Sequence, residues 1–264
     1  MIKNSTLKFR SPRELPKFGN FMVGGVAGVG KTSFLGTIGP DAKMVVVDSE
    51  NGSVSYQSAW FQNEPSAAKL DNIHIIGTDD VSTAEELVHV AESTLDYLIR
   101  TKNSDGYALF ALDSITEMQE QFLKLHKAAD PRQSYGAWKE ALHTIVHKAR
   151  QAPIVTVFTA RLKAMQDEVL AREIVRPAMS PGAWEVISGL FDQIGLLDLK
   201  VQGQTGRRNL DFSPRPRFQG KDRYGLGEMP EPRFVNLLAK LNGEAPAKPA
   251  PRTSARPAAT AARR

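Results

Sequence analysis

One stretch of this chain concentrates residue types that meet polyphosphate: Gly25-Val26-Ala27-Gly28-Val29-Gly30-Lys31-Thr32, followed by Ser33. It satisfies G-x-x-x-x-G-K-[ST]. In such a loop glycines let successive backbone N–H groups close around phosphate oxygens, and the helix that follows adds the positive end of its dipole. Lys31 is expected to reach the β and γ phosphates, and the Thr32 hydroxyl to ligate Mg²⁺. Gly25 through Ser33 are thus the expected nucleotide cradle. An apolar strand pattern, Asn20 to Gly24, precedes the loop and a helical pattern, Lys31 to Leu35, follows it, as the mechanism requires. A chance match in a glycine-rich turn is the alternative, and these flanks disfavour it.

A second run, Tyr107-Ala108-Leu109-Phe110-Ala111-Leu112-Asp113, reads as a buried strand ending in an acid. After a phosphate loop, such a strand is expected to aim its carboxylate at the Mg²⁺ shell, so Asp113 joins Thr32 as a metal candidate. The bland alternative is a core strand meeting a loop. Ser114 follows Asp113, where many helicases and AAA+ machines carry a catalytic Glu, so the base must come from elsewhere. Val45-Val46-Val47-Asp48-Ser49-Glu50 offers Glu50, just past a strand end where such sheets present side chains to ligand. A solvated loop glutamate is its alternative.

These residues need a scaffold, and the pattern along the chain predicts one. Short apolar runs alternate with longer helical stretches, the signature of βαβ units and a mainly parallel sheet flanked by helices. Strands are expected at Asn20 to Gly24, Met44 to Asp48, Ile73 to Ile76, Ala108 to Asp113 and Ile154 to Thr159. Helices are expected at Lys31 to Leu35, Thr83 to Arg100, Ile115 to Lys127, Tyr135 to Arg150, Ala183 to Asp192 and Pro232 to Leu241. After Asp192 the runs Ile194 to Val201 and Arg208 to Phe212 predict antiparallel strands extending the sheet. The expected class is therefore α/β, with residues 15–243 as one nucleotide-binding domain, 1–14 as an extension and 244–264 as a tail. No internal repeat is present.

Composition narrows the possibilities. With 264 residues and 41% hydrophobic content the chain can bury one sizeable core. No apolar run approaches the roughly 18 residues that span a bilayer, and Met1 to Arg13 lacks a signal-peptide core, which predicts a cytoplasmic protein without membrane partners. The absence of cysteine removes disulfides, thiolate metal sites and thiol nucleophiles. The net charge of +5 is uneven: Glu244 to Arg264 carries five basic residues against one acid, leaving +1 for the rest. That tail, rich in Ala and Pro with no apolar anchor, reads as disordered and basic, either a plain solvated end or a weak binding arm.

Together the phosphate loop, the Glu past the second strand and the apolar strand ending in Asp-Ser resemble the RecA-like ATPase core. The arrangement is most similar to the short single-domain phage proteins of the Sak type, which act in recombination and single-strand annealing. The resemblance spans about residues 15 to 242. It implies Glu50 as the base that activates water and Asp113 as the acid of the metal shell. Pro153-Ile154-Val155-Thr156-Val157-Phe158-Thr159-Ala160-Arg161 stands where that family has its sensor strand, which makes Thr159 or Arg161 the γ-phosphate sensor. The family has polar amides or His there, and this chain departs from both. Phe218-Gln219-Gly220-Lys221-Asp222-Arg223-Tyr224-Gly225 is similar to the Lys-x-Arg element that RecA and DnaB-type rings insert into a neighbour's site. It implies Lys221 and Arg223 as catalytic cations acting in trans, and hence a ring or filament; a solvent-facing basic turn is the alternative.

In the same resemblance the loop after the sensor strand meets single-stranded DNA, here the stretch Arg161 to Arg176 with Arg161, Lys163, Arg172 and Arg176. Asp167, Glu168 and Glu173 dilute its charge, and an ordinary surface segment is the alternative. His143 and His147 have i,i+4 spacing but lack the Glu of a zinc-protease motif, which favours two helix-face histidines. Trp60, Trp138 and Trp184 are candidates for base stacking, with core packing as the alternative. The expected activity is hydrolysis of ATP with Mg²⁺, serving DNA recombination or annealing on single strands in the host cytoplasm, with a single-strand-binding or replication protein as a further partner. A ring motor or helicase loader is the second reading, and a nucleotide-gated interaction module with little turnover is the third. No N-K-x-D motif supports a GTPase, and no lid or substrate signature supports a small-molecule kinase.

Overall fold

The computed structural model describes residues 18–77, 83–126, 130–167, 172–202 and 205–244. The expected extension 1–14 and all of the tail after Glu244 lie outside these residues, as do Lys127 and Glu168. Ten strands and seven α-helices are found among them: β1 Asn20–Gly25, α1 Lys31–Leu35, β2 Lys43–Asp48, α2 Ala59–Gln62, β3 Ile73–Gly77, α3 Ala84–Arg100, β4 Tyr107–Asp113, α4 Ile115–Leu125, α5 Pro131–Gln151, β5 Val155–Asp167, β6 Arg172–Pro177, α6 Pro181–Ser188, β7 Gln193–Gln202, β8 Thr205–Asp211, β9 Lys221–Asp222, β10 Glu228–Pro230 and α7 Phe234–Leu241. A 3-10 turn, Gly52–Gln57, lies between β2 and α2.

The strands run in the order β10-β8-β7-β1-β5-β4-β2-β3, with β6 on β5 and β9 on β7. The inner strands β7, β1, β5, β4, β2 and β3 are parallel. Of the two runs expected as antiparallel strands, Arg208 to Phe212 falls largely in β8, which extends the sheet antiparallel as expected, whereas Ile194 to Val201 falls in β7, which joins β1 in parallel; β10, which was not expected, adds a further antiparallel strand. Alternation along each strand fills both faces: Met22, Val45, Val47, Phe110, Leu112 and Phe158 pack with α3 to α6, while Phe21, Val23, Met44, Val46, Leu109 and Val157 pack with α1, α2 and α7. Helices on both sides of a parallel sheet make a three-layer α/β domain. β5 lies between the strand that feeds the phosphate loop and the strand that ends in Asp113.

Several boundaries differ from expectation for local reasons. α5 begins at Pro131 rather than Tyr135, because Asp130 caps it by accepting from the Arg132 N–H and Pro131 occupies the first turn. α6 spans Pro181–Ser188 rather than Ala183 to Asp192, since Pro181 opens it and the chain turns at Gly189. α4 closes at Leu125 with His126 as its C-cap. The largest correction concerns Arg161 to Arg176, expected as a loop. β5 runs on to Asp167 and pairs antiparallel with β6, from Leu162 opposite Pro177 to Asp167 opposite Arg172. The segment is a β-hairpin that continues the central strand.

Candidate active site

Parallel pairing delivers the acids. The register sets Asp48 of β2 opposite Asp113 of β4 at the C-terminal edge of the sheet, where open α/β sheets bind ligands. Ser49 stitches the two strand ends: its N–H donates to the Asp113 carbonyl at 2.8 Å, and its hydroxyl donates to the Ser114 carbonyl at 2.7 Å and accepts the Ser114 N–H at 2.9 Å. Asp48, buried, accepts the N–H groups of Glu50 (3.0 Å), Gly52 (3.1 Å) and Ser53 (2.8 Å), so this carboxylate folds the turn that presents Glu50.

Asp113 is fully buried. Its two oxygens accept from hydroxyls on either side, Thr32 Oγ1 at 2.5 Å and Thr159 Oγ1. The intervening position of β5 is what lets Thr159 reach it. Burial pushes the Asp113 carboxyl above the usual range, the two hydroxyls oppose that shift, and Glu50 and Asp48 add to it. No Lys or Arg forms an ion pair with Asp113 among the described residues. A desolvated carboxylate beside two other acids favours a cation, and the threonine hydroxyl with this carboxylate is the hard-oxygen set that Mg²⁺ takes.

The space around that pair is kept open. A Cβ added at Gly52 would lie 2.9 Å from Thr32 Oγ1 and 3.6 Å from Asp113 Oδ2. The Ser53 and Tyr56 hydroxyls are buried with no hydrogen-bond partner. Burial, then the charges of Asp113 and Asp48, push the Tyr56 phenol well up, which puts this orphaned donor within the field of the same acids. Thr32 and Asp113 fit a hydrated Mg²⁺.

The phosphate loop curls around its own lysine. Lys31 Nζ donates to the carbonyls of Gly25 and Val26, both at 3.3 Å. Burial lowers the Lys31 ammonium, while Glu50 and Asp113 act in the opposite direction and Arg161 reinforces the lowering. The charges expected at the γ-phosphate therefore surround one ammonium. Gly30, just before Lys31, has φ 98°, a left-handed conformation that favours glycine.

Glu50 accepts from the Ser114 hydroxyl and lies 3.9 Å from Arg161 Nε. Arg161 in turn reaches Glu117 at 3.1 Å and Glu120 at 2.6 Å through Nη2, and its N–H donates to Thr116 Oγ1 at 3.0 Å. It bridges the Glu50 turn, α4 and the root of the hairpin. Beyond it Lys163 and Arg172 are exposed and Arg176 is half-buried, with Arg176 Nε 2.9 Å from Met165 Sδ. Arg161 itself is partly exposed and pairs with the carboxylates of Glu117 and Glu120.

Lys221 and Arg223 are not part of this cluster. Lys221 pairs with Ile194 of β7, at the end of the strand that lies beside the start of β1 and so opposite the phosphate loop. Lys221 Nζ donates to the Gly189 carbonyl at 2.9 Å, closing the C-terminus of α6, and Arg223 Nη1 pairs with Asp192 at 2.8 Å. Neither reaches the nucleotide site of its own chain. Trp138 and Trp184 fill the core, which removes them as stacking platforms; Trp60 is 38% exposed. His143 and His147 stack 6.1 Å apart on the exposed side of α5, and no cluster of three metal-binding side chains occurs among the described residues.

Sequence reasoning missed Asp48 as the organiser of the Glu50 turn, Gly52 beside Thr32, and Arg208, whose guanidinium packs on Gly30. The first two carried a signal, an acid at a strand end, which can take the N–H two residues on in an Asx-type turn, with Gly52 shortly after it. Arg208 carried none, being one arginine of a basic run.

No curated protein sequence matches the chain. Among solved structures, a KaiC-like protein from the hyperthermophilic archaeon Pyrococcus horikoshii OT3 is similar at 15% identity with a TM-score of 0.41, over 73% of this chain and 77% of that one. The family model described as an AAA domain matches residues 19–224, a span that holds the phosphate loop, the three acids and strands β1 to β9. The chain belongs to that AAA domain family.

Proposed function

We propose that this chain is a Mg²⁺-dependent ATPase, converting ATP and water to ADP and phosphate, and that it acts on single-stranded DNA as an oligomer in recombination or annealing. The observation that carries the ATPase reading is the buried Asp113 carboxylate held between Thr32 of the phosphate loop and Thr159 of the neighbouring strand. Thr32 and Asp113 would hold Mg²⁺, which when bound screens phosphate charge and orients the phosphate chain. Lys31, freed from the Gly25 and Val26 carbonyls, binds phosphate oxygens. Glu50 takes the proton of attacking water, and to do so it exchanges its Ser114 hydrogen bond for that water. Thr159 senses the metal shell through Asp113.

The DNA reading rests on Arg161 and the hairpin. One residue ties the Glu50 carboxylate to the hairpin whose strands carry Lys163 (β5) and Arg172 and Arg176 (β6), so a change at Glu50 on nucleotide binding alters the hairpin root. Lys163 and Arg172 are the exposed cations for a phosphate backbone. Lys221 and Arg223 lie at the far end of the sheet from their own phosphate loop, so as catalytic cations they would act on a neighbour's nucleotide, which requires a ring or filament. A second reading, a nucleotide-gated interaction module with little turnover, is favoured by one observation: Glu50 is engaged by Ser114 and Arg161 and has to be released before it serves as a base.

Steady-state ATP hydrolysis with and without single-stranded DNA decides between them, with duplex DNA as the control. The first reading expects stimulation by single strands that is lost in Lys163→Ala/Arg172→Ala. Basal turnover unmoved by either DNA contradicts it, and little turnover in every condition selects the gated module.

A further inference from the structure

A second cation approaches the phosphate loop from the antiparallel flank. β8 carries Arg208 opposite Leu199 of β7, and its side chain crosses to the loop, where a Cβ at Gly30 would lie 2.8 Å from Arg208 Cζ and 2.9 Å from Nε. On its other side Cζ stands 5.2 Å from the centroid of the Trp60 ring. Arg233 covers the same indole at 5.6 Å and is paired with Glu64 at 2.7 Å. Among the described residues Arg208 has no carboxylate partner. Burial, then the Arg233 charge, lower its pKa.

A half-buried guanidinium beside a second cation, with no acid to answer it, is destabilising unless an anion arrives. Its donors lie against the glycine that immediately precedes the phosphate-binding lysine. Guanidinium is also the side-chain group whose planar fork fits phosphate oxygens in pairs. We propose that Arg208 is a phosphate-contacting residue of the nucleotide site, held ready on the Trp60 indole and closing on the phosphate chain of the nucleotide bound in the same chain.

This inference rests on the nucleotide-binding reading and adds to it a cation in cis, separate from Lys221 and Arg223. Trp60 is then a positioning residue. Its cation–π contact holds the guanidinium while the site is empty, and the contact changes when Arg208 turns to phosphate. Since the other two tryptophans are buried in the core, a nucleotide-dependent change in indole emission reports mainly on Trp60.

Equilibrium titrations of the full chain with Mg²⁺-ATP, Mg²⁺-ADP and adenosine test it, in wild type, Lys31→Ala, Arg208→Ala, Arg208→Lys and Trp60→Phe. Arg208→Ala is expected to weaken ATP and ADP about tenfold or more, the effect of one lost charge-assisted contact, and to leave adenosine unchanged. Arg208→Lys recovers part of the loss. The melting temperature of ligand-free Arg208→Ala stays at or above wild type, and ATP changes the emission of wild type but not of Trp60→Phe. Wild-type affinity in Arg208→Ala overturns the inference while leaving the phosphate-loop reading intact. A loss of affinity accompanied by a matching loss of ligand-free stability also overturns it, in favour of a packing role. Failure of wild type to bind ATP overturns both readings at once.

Discussion

Asp113→Asn should make the ligand-free protein more stable and deaf to Mg²⁺-ATP. In the structure the carboxylate is fully buried, and the groups bonded to it are two neutral hydroxyls, Thr32 and Thr159, with the Lys31 ammonium acting on it only at a distance. Asp48 and Glu50 lie close enough to oppose its ionisation further. Asparagine keeps the shape, its amide can still accept from one threonine and donate to the other, and the uncompensated charge is gone. Leaving a buried polar group poorly compensated costs about 1–3 kcal/mol; with both hydroxyl contacts retained, a gain of about 1–2 kcal/mol is expected. For a chain of this size that is a rise of about 2–8 °C in melting temperature. Wild type adds to its own stability when Mg²⁺-ATP binds, by linkage, and the variant should not. The sign of the pH dependence follows from the raised carboxyl. The folded state holds this proton more tightly than the unfolded state, so the penalty is fully present above the folded pKa and is relieved as pH falls through it. The advantage of Asp113→Asn should therefore shrink on acidification. Thermal unfolding at neutral and acidic pH, with and without Mg²⁺-ATP, reads all three effects. A variant that melts several degrees below wild type, or one that Mg²⁺-ATP still stabilises fully, would refute the reasoning.

Other perturbations separate the roles. Glu50→Gln should keep ATP affinity and lose most turnover, about a hundredfold or more for a general base; lost affinity in a binding titration would make Glu50 structural. Gly52→Ala places a methyl 2.9 Å from Thr32 Oγ1, an overpacking worth about 1–3 kcal/mol, and should lower the metal-free melting temperature and, by displacing the Thr32 hydroxyl, weaken Mg²⁺-dependent ATP binding about tenfold; an unchanged ATP titration would refute the close approach. Arg223→Ala should lower turnover without lowering affinity, and mixing it with Glu50→Gln subunits should restore part of the activity if the cation works in trans; no recovery at any mixing ratio would return Arg223 to its Asp192 pairing as a structural residue.

Much of the fold was legible because it obeys period rules. Val45-Val46-Val47 and Leu109-Phe110-Ala111-Leu112 are buried on both faces, so their strands read as continuous apolar runs, and Thr83 with Glu86 marks the start of α3 by a capping box. The phosphate loop was legible because its residues are local. What was missed is non-local or weakly patterned. Gly52–Gln57 and Ala59–Gln62 are too short to show a period, and are held by the Asp48 carboxylate and by Tyr56 and Phe61 packing under α1. The hairpin read as a loop because Lys163-Ala164-Met165-Gln166 carries little apolar surface, and this end of β5 is held by its pairing with β6, which is bridged in turn to Phe218 through Val175. Arg208 reaches Gly30 only because the antiparallel flank folds β8 back beside β7, a contact across nearly the whole length of the domain. Thr159 and Asp113 meet through sheet order, which a single sequence does not display.

The central claim is that Thr32, Asp113 and Lys31 form one Mg²⁺-dependent ATP site, and phosphate release from ATP tests it most directly. The purified chain should release phosphate with Mg²⁺ present, stop when the metal is chelated, and resume on its return, while Lys31→Ala stays folded and silent throughout. Equal release by Lys31→Ala, or release that ignores chelation, would contradict the account.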